Sequence, residues 1–185
     1  MVEEEPLLRL MPLAAEAVRV SLAKLFEPIE IRLVETTIGS VAVDAPAPGL
    51  HVGFHIGSWH GARIVMLVDN RDAARIGDVM LNRESSGQAP DERALEAITE
   101  LANIAASSFL SRIASLARVR LMLSTPDLRR EPLQLNPAGT PHLTVARYEL
   151  KLADGPARFR LAALPETRLM DAIRTATRRI NSSAA

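Results

Sequence analysis

The stretch Asp91 to Phe109 constrains this chain most. Its apolar residues Leu95, Ile98, Ala102 and Ala105 run on through Phe109, Ile113 and Leu116 at three- and four-residue steps, so only an α-helix puts them on one buried face. At about 100° per residue, Glu96, Glu100, Asn103, Ser107 and Ser111 fall opposite that stripe. Glu100 and Asn103 then sit one turn apart and point the same way. A solvated helix face is the simplest reading of such residues. Composition argues for more, because exposed helix faces are usually filled with long side chains, and Asn and Ser each cost about 0.5 kcal/mol of helix propensity relative to Ala. Asn103, Ser107, Ser108 and Ser111 leave the amide unshielded, so another protein can come close. Glu100 and Asn103 are therefore the leading candidates for a functional site, with Glu96, Ser107 and Ser111 as candidate partner contacts.

The remaining pattern predicts a mixed fold. Met11 to Phe26 reads as an amphipathic helix opened by Pro12 and ended by Pro28. Ile29, Ile31 and Leu33 alternate with Glu30 and Arg32 as a strand, with a second strand beyond Glu35. After the loop Ala45 to Gly49, His51 to Ser58 and Ala62 to Val68 form a hairpin turning at Trp59-His60-Gly61, and Asp69 to Asp72 cap a helix over Ala73 to Leu81. Ser85 to Pro90 is a linker. Beyond the long helix, Val119 to Leu123 reads as a strand and Thr125 to Pro141 as a Pro-rich connection. His142 to Leu152 and Ala157 to Ala162 form a hairpin around Asp154-Gly155-Pro156, and Pro165 opens a last helix to about Ile180. The order of elements repeats, with halves at about residues 7–84 and 90–182 of a single domain spanning 1–185. In that register Ala15-Glu16-Ala17-Val18-Arg19 matches Thr99-Glu100-Leu101-Ala102-Asn103.

With 185 residues, 48% of them hydrophobic, the chain can bury one sizeable core. Lys plus Arg equals Asp plus Glu, 22 of each, so no global positive field favours nucleic acid or anionic lipid. The short Arg-rich stretches Arg112 to Arg120, Arg129-Arg130 and Arg174 to Arg179 read as solvated helix ends and strand faces. The lack of cysteine excludes disulfides, thiolate chemistry and Cys-ligated metals. Met1 to Pro6 is acidic where a signal peptide is basic, and no apolar run is long enough to span a membrane, so a cytoplasmic protein is expected.

The histidines are the rival site. His51 and His55 on one strand lie roughly 13 Å apart, and Gly53 and Gly57 between and beyond them suggest bends. Structural or surface roles are expected for them and for His60, with no metal site and no cofactor of the chain's own. No catalytic Ser-His-Asp order, phosphate-cradling loop or dinucleotide fingerprint is present.

Glu100-Leu101-Ala102-Asn103-Ile104 on a helix rich in small residues, followed by a strand-like run and Ser124-Thr125-Pro126, resembles the CheC/CheX/FliY phosphatases, which act on the phosphorylated response regulator CheY. Family members often carry Gly where this chain has Ala102 and Ser107. The resemblance implies an α+β, CheC-like pseudo-two-fold fold, with two long helices side by side over a mostly antiparallel sheet. It also implies hydrolysis of the aspartyl phosphate of a CheY-like regulator, with Asn103 orienting water and Glu100 pairing with the regulator's active-site lysine. The Mg2+ of such a reaction belongs to the partner. Only the second half keeps the Glu and Asn, as in one-site CheX.

Two other readings stay open: a FliM-like module that binds a regulator or flagellar partner without hydrolysis, and an adaptor with a CheD-like partner. The resemblance to CheX further implies a homodimer through a continuous sheet, for which Tyr148 to Leu161 is the expected edge.

Overall fold

Period-two alternation sorts the central strands onto two faces of a sheet, and nearly all the large apolar side chains go to one of them. The computed structural model describes residues 5–39, 43–44, 49–57, 59–84, 89–130, 134–135, 143–171 and 173–175. In chain order these form α1 (Glu5–Leu25), β1 (Ile31–Gly39), β2 (Val43–Asp44), β3 (Gly49–Ile56), β4 (Trp59–Asp69) and α2 (Asn70–Met80). There follow α3 (Glu92–Ala117), β5 (Asp127–Arg129), β6 (Gln134–Leu135), β7 (Leu143–Leu152) and β8 (Gly155–Leu164), and then helical turns at 167–171 and 173–175. A six-stranded antiparallel sheet has the order β1-β7-β8-β4-β3-β5, and β2 pairs with β6 separately.

Ile64, Met66 and Val68 of β4, Tyr148 and Leu150 of β7, and Phe159 and Leu161 of β8 share one core with Val18 and Leu22 of α1, Ile76 of α2 and Ile98, Leu101 and Phe109 of α3. The helices therefore cover one sheet face, with α1 packed along α3. The opposite face holds a smaller buried cluster of Val65, Leu67, Val145 and Ala162. The buried Tyr148 hydroxyl donates to the Ala15 carbonyl of α1 at 3.0 Å, fixing the helix layer to the sheet. On α2 the buried Arg75 guanidinium donates to Asp72, to Asp154 and to the Pro156 carbonyl, clasping that helix to the β7–β8 turn. The α+β architecture, with two long helices side by side over an antiparallel sheet, is the one the resemblance implies.

Several local expectations differ. Pro12 lies inside α1 and not at its start; its ring is on the exposed side, and with no N–H it leaves out one bond of the helix ladder. Where two strands were expected between residues 29 and 43, β1 runs unbroken past Glu35 to Gly39 with an irregularity between Leu33 and Glu35, and Val34 stands out there, 59% exposed; residues 40–42 lie outside the described residues and Val43 belongs to β2. The first hairpin turns at Gly57 and not at 59–61: Trp59 pairs with Ile56, and Gly61, at φ +102°, falls within the register shift. α2 begins at Asn70, three residues earlier than expected, with Asp69 as its N-cap. Val119 to Leu123 makes only an isolated bridge, Ile56 to Leu123, while β5 lies in the segment expected to be a connection. The hairpin containing Tyr148 to Leu161 is not an edge: β8 lies between β7 and β4, and β7 between β1 and β8, so β1 and β5 end the sheet. Residues 85–88 of the expected linker and 176–180 of the expected last helix lie outside the described residues.

Candidate functional site

The site is a face of α3, and both ends of that helix are fixed. Asp91 is its N-cap, accepting from the Ala94 N–H at 2.8 Å, and Arg118 ends it in the left-handed conformation at φ 53°. Arg83, beyond the end of α2, donates to both Asp91 oxygens at 2.9 Å and to the buried Asp78 carboxylate at 2.6 Å. Arg83 first, and the Ala94 N–H second, hold the Asp91 carboxyl down at about 2. Gly77 of α2 meets Ala94 so closely that a Cβ on it would lie 2.7 Å from the Ala94 Cβ. Arg83, Asp78 and Gly77 escaped sequence reading because their contacts cross between elements.

The buried side of α3 is broader than one stripe. Ala94, Ala97, Leu101, Ala106, Leu110 and Ala117 are buried besides Ile98, Ala102, Ala105, Phe109 and Ile113, whereas Leu95 and Leu116 are only partly buried. The cause is that α1 and α2 flank the helix while the sheet lies beneath it. Opposite this face, Glu96, Glu100 and Ser111 are exposed and Asn103 and Ser107 half-buried. Glu100 and Asn103 are neighbours across one turn, with Cβ atoms about 5–6 Å apart. Glu96 and Ser107 flank them by one turn each, and Ser111 lies roughly 16 Å along the axis from Glu100.

Among the described residues, neither the Glu100 nor the Asn103 side chain has a hydrogen bond or ion pair. The corresponding pair on α1 is closed: Arg19 donates to Glu16 Oε1 from Nε at 2.8 Å and from Nη2 at 2.6 Å. On α3 a carboxylate and a carboxamide remain able to engage groups outside the chain, the first a cation, the second a water molecule as donor or acceptor.

The histidines do not converge. His51 is buried and His55 exposed, and among the described residues no group of three or more His, Asp or Glu side chains could hold a metal. The side chain of His60 lies outside the described residues. Among those residues, no helix is long and apolar enough to cross a membrane.

No protein-family model and no curated protein matches this sequence. Solved structures do. The FliM middle domain from H. pylori aligns over 95% of this chain and 99% of its own, with a TM-score of 0.68 at 12% identity. FliY from Thermotoga maritima aligns over 90% of each chain, with a TM-score of 0.60 at 17% identity. A chain of the CheX-CheY-BeF3-Mg2+ complex from Borrelia burgdorferi aligns over 84% of this chain and 96% of its own, with a TM-score of 0.57 at 17% identity. The resemblance read from Glu100 to Ile104 is thus matched by the architecture: this chain has the fold shared by FliY, CheX, CheC-like and FliM structures.

Proposed function

We propose that this protein is a phosphatase of a CheY-like response regulator, working in a chemotaxis-type pathway in the cytoplasm. The observation that carries the reading is the outward-facing Glu100 and Asn103 pair, one turn apart and without partners among the described residues, on a fold shared with CheX. An aspartyl phosphate is an activated acyl phosphate, so hydrolysis gains most from holding one water in line with phosphorus. Asn103 orients that water. Glu100 pairs with the regulator's active-site lysine and sets α3 over the phosphorylated aspartate, while the regulator keeps its own Mg2+. Glu96, Ser107 and Ser111 contact the partner beside the pair. The two halves of the chain are diverged duplicates, and only the second keeps the pair.

The similarity to the FliM middle domain supports a second reading, a module that binds a regulator or flagellar partner without hydrolysis. The decay of an acetyl-phosphate-labelled CheY-like regulator, with and without the protein, separates the two. Acceleration that Asn103→Ala abolishes supports the phosphatase; binding without acceleration supports the module.

A further inference from the structure

The outer face of α1 carries an apolar stripe with no function assigned so far. Leu13, Ala17 and Val20 recur at i, i+4 and i+7 on the side away from the core residues Ala14, Ala15, Val18 and Leu22; Leu13 is 45% and Val20 42% exposed. Of the six large apolar side chains exposed among the described residues, these two lie mid-helix on the same layer as the Glu100 and Asn103 face.

The two helices run antiparallel. Met11, near the start of α1, lines one apolar crevice with Phe109, Leu110 and Ile113, near the end of α3. At the other end Leu25 and Phe26 line a cleft with Val79 and Met80 of α2, whose end is joined to Asp91 at the start of α3. Between these two anchors a rise of about 1.5 Å per residue sets Val20 level with Glu100, Ala17 with Asn103 and Leu13 with Ser107. Packed helix axes lie about 8–10 Å apart, so the stripe runs beside the polar pair, on the same outward surface. Ile104, partly buried against the core, belongs to that surface.

We propose that the phosphorylated response regulator rests an apolar patch on Leu13, Ala17 and Val20 while its phosphorylation pocket meets Glu100 and Asn103. This rests on the phosphatase reading and deepens it, for it gives α1 the work of holding the substrate protein and α3 the work of chemistry. The occupant is chosen by continuity: a regulator seated over Glu100 and Asn103 must overhang a stripe about 10 Å away. Its own face is expected to present aliphatic or aromatic side chains next to the pocket.

The test is Leu13→Glu/Val20→Glu, with Ala17→Arg as a second variant that adds bulk without removing apolar surface. Both are assayed with the source organism's CheY-like regulator phosphorylated by acetyl phosphate, alongside sedimentation and thermal melting. The expected result is a KM raised about tenfold or more, with the loss falling on KM and not on kcat, and an unchanged melting temperature. An unchanged KM in both variants, or a wild-type dimer that the variants split without changing KM, overturns the proposal; the latter would mean that a second copy covers the stripe. Asn103→Ala that keeps the full rate sinks the phosphatase reading separately. Binding of the beryllofluoride-activated regulator, measured with the same two α1 variants, then still decides whether the stripe docks it.

Discussion

Replacing Gly77 by alanine tests how tightly α3 is seated. In an open helix this change stabilises by about 1 kcal/mol, because glycine is the poorer helix former. Here the added Cβ would lie 2.7 Å from the Ala94 Cβ, 3.0 Å from its Cα and 3.1 Å from its carbonyl oxygen. Carbon atoms in contact prefer about 3.5–4.0 Å, and two of these three neighbours are backbone atoms that no rotamer change can move. α2 and α3 must therefore separate by roughly 1 Å. Overpacking of this kind costs about 1–3 kcal/mol, and with backbone in the way the upper part of that range applies. Set against the propensity gain, the net destabilisation is about 1–2 kcal/mol. For a chain of 185 residues this lowers Tm by about 2–8 °C. Thermal and urea unfolding of Gly77→Ala, Ala94→Gly and the double variant form the cycle, and the double variant is expected to recover part of the loss, since the shortest contact is gone. A neutral or stabilised Gly77→Ala would show that α2 and α3 are not in this contact, and with it the fixed seat of the Glu100 turn would fall.

Tyr148 is the only tyrosine, and burial first, with the Glu16 charge second, pushes its phenol well above the ordinary range. Its neutral form belongs to the folded state, so stability is held below the unfolded pKa of about 10 and falls as pH rises past it. Phenolate absorbance is expected to appear only together with loss of circular dichroism; ionisation of the native protein near pH 10 would contradict the buried bond to Ala15. Asp91 works in the other direction. Its carboxyl is held at about 2, so its contribution is complete above the unfolded value of about 3.9 and is lost as pH falls from there towards 2. Asp91→Asn keeps the cap but drops the ion pair with Arg83, and the urea midpoint of the variant is expected to fall less steeply than that of the wild type in this window.

What could be read from the sequence was local. The three- and four-residue steps of α3 and the turn at Asp154-Gly155 each depend on neighbours in the chain, and each lies where the pattern put it. The Glu100 and Asn103 pair was legible for the same reason, since helix geometry alone puts them one turn apart. What failed depended on distant partners. Val119, Leu121 and Leu123 alternate like a strand, yet Leu121 packs into the crevice with Ile56, Phe109 and Ile113, and the ladder to β3 is made by Asp127 to Arg129. Nothing in the sequence marks that short edge strand, in which only Leu128 turns towards the core. The place of β7 and β8 at the centre of the sheet is likewise set by pairing with β1 and β4, strands from the other end of the chain. That placement removed the expected dimer edge. The absence of partners for Glu100 and Asn103 among the described residues, in contrast to Glu16 and Arg19, is visible only once the helices are packed.

The most direct test of the central claim is the single-turnover rate of regulator dephosphorylation at saturating protein, compared for wild type and Asn103→Ala, with the affinity for the activated regulator measured on the same samples. If Asn103 holds the attacking water, the rate falls by about a hundredfold or more while affinity stays within about twofold. An Asn103→Ala protein that dephosphorylates the regulator as fast as the wild type would contradict the claim.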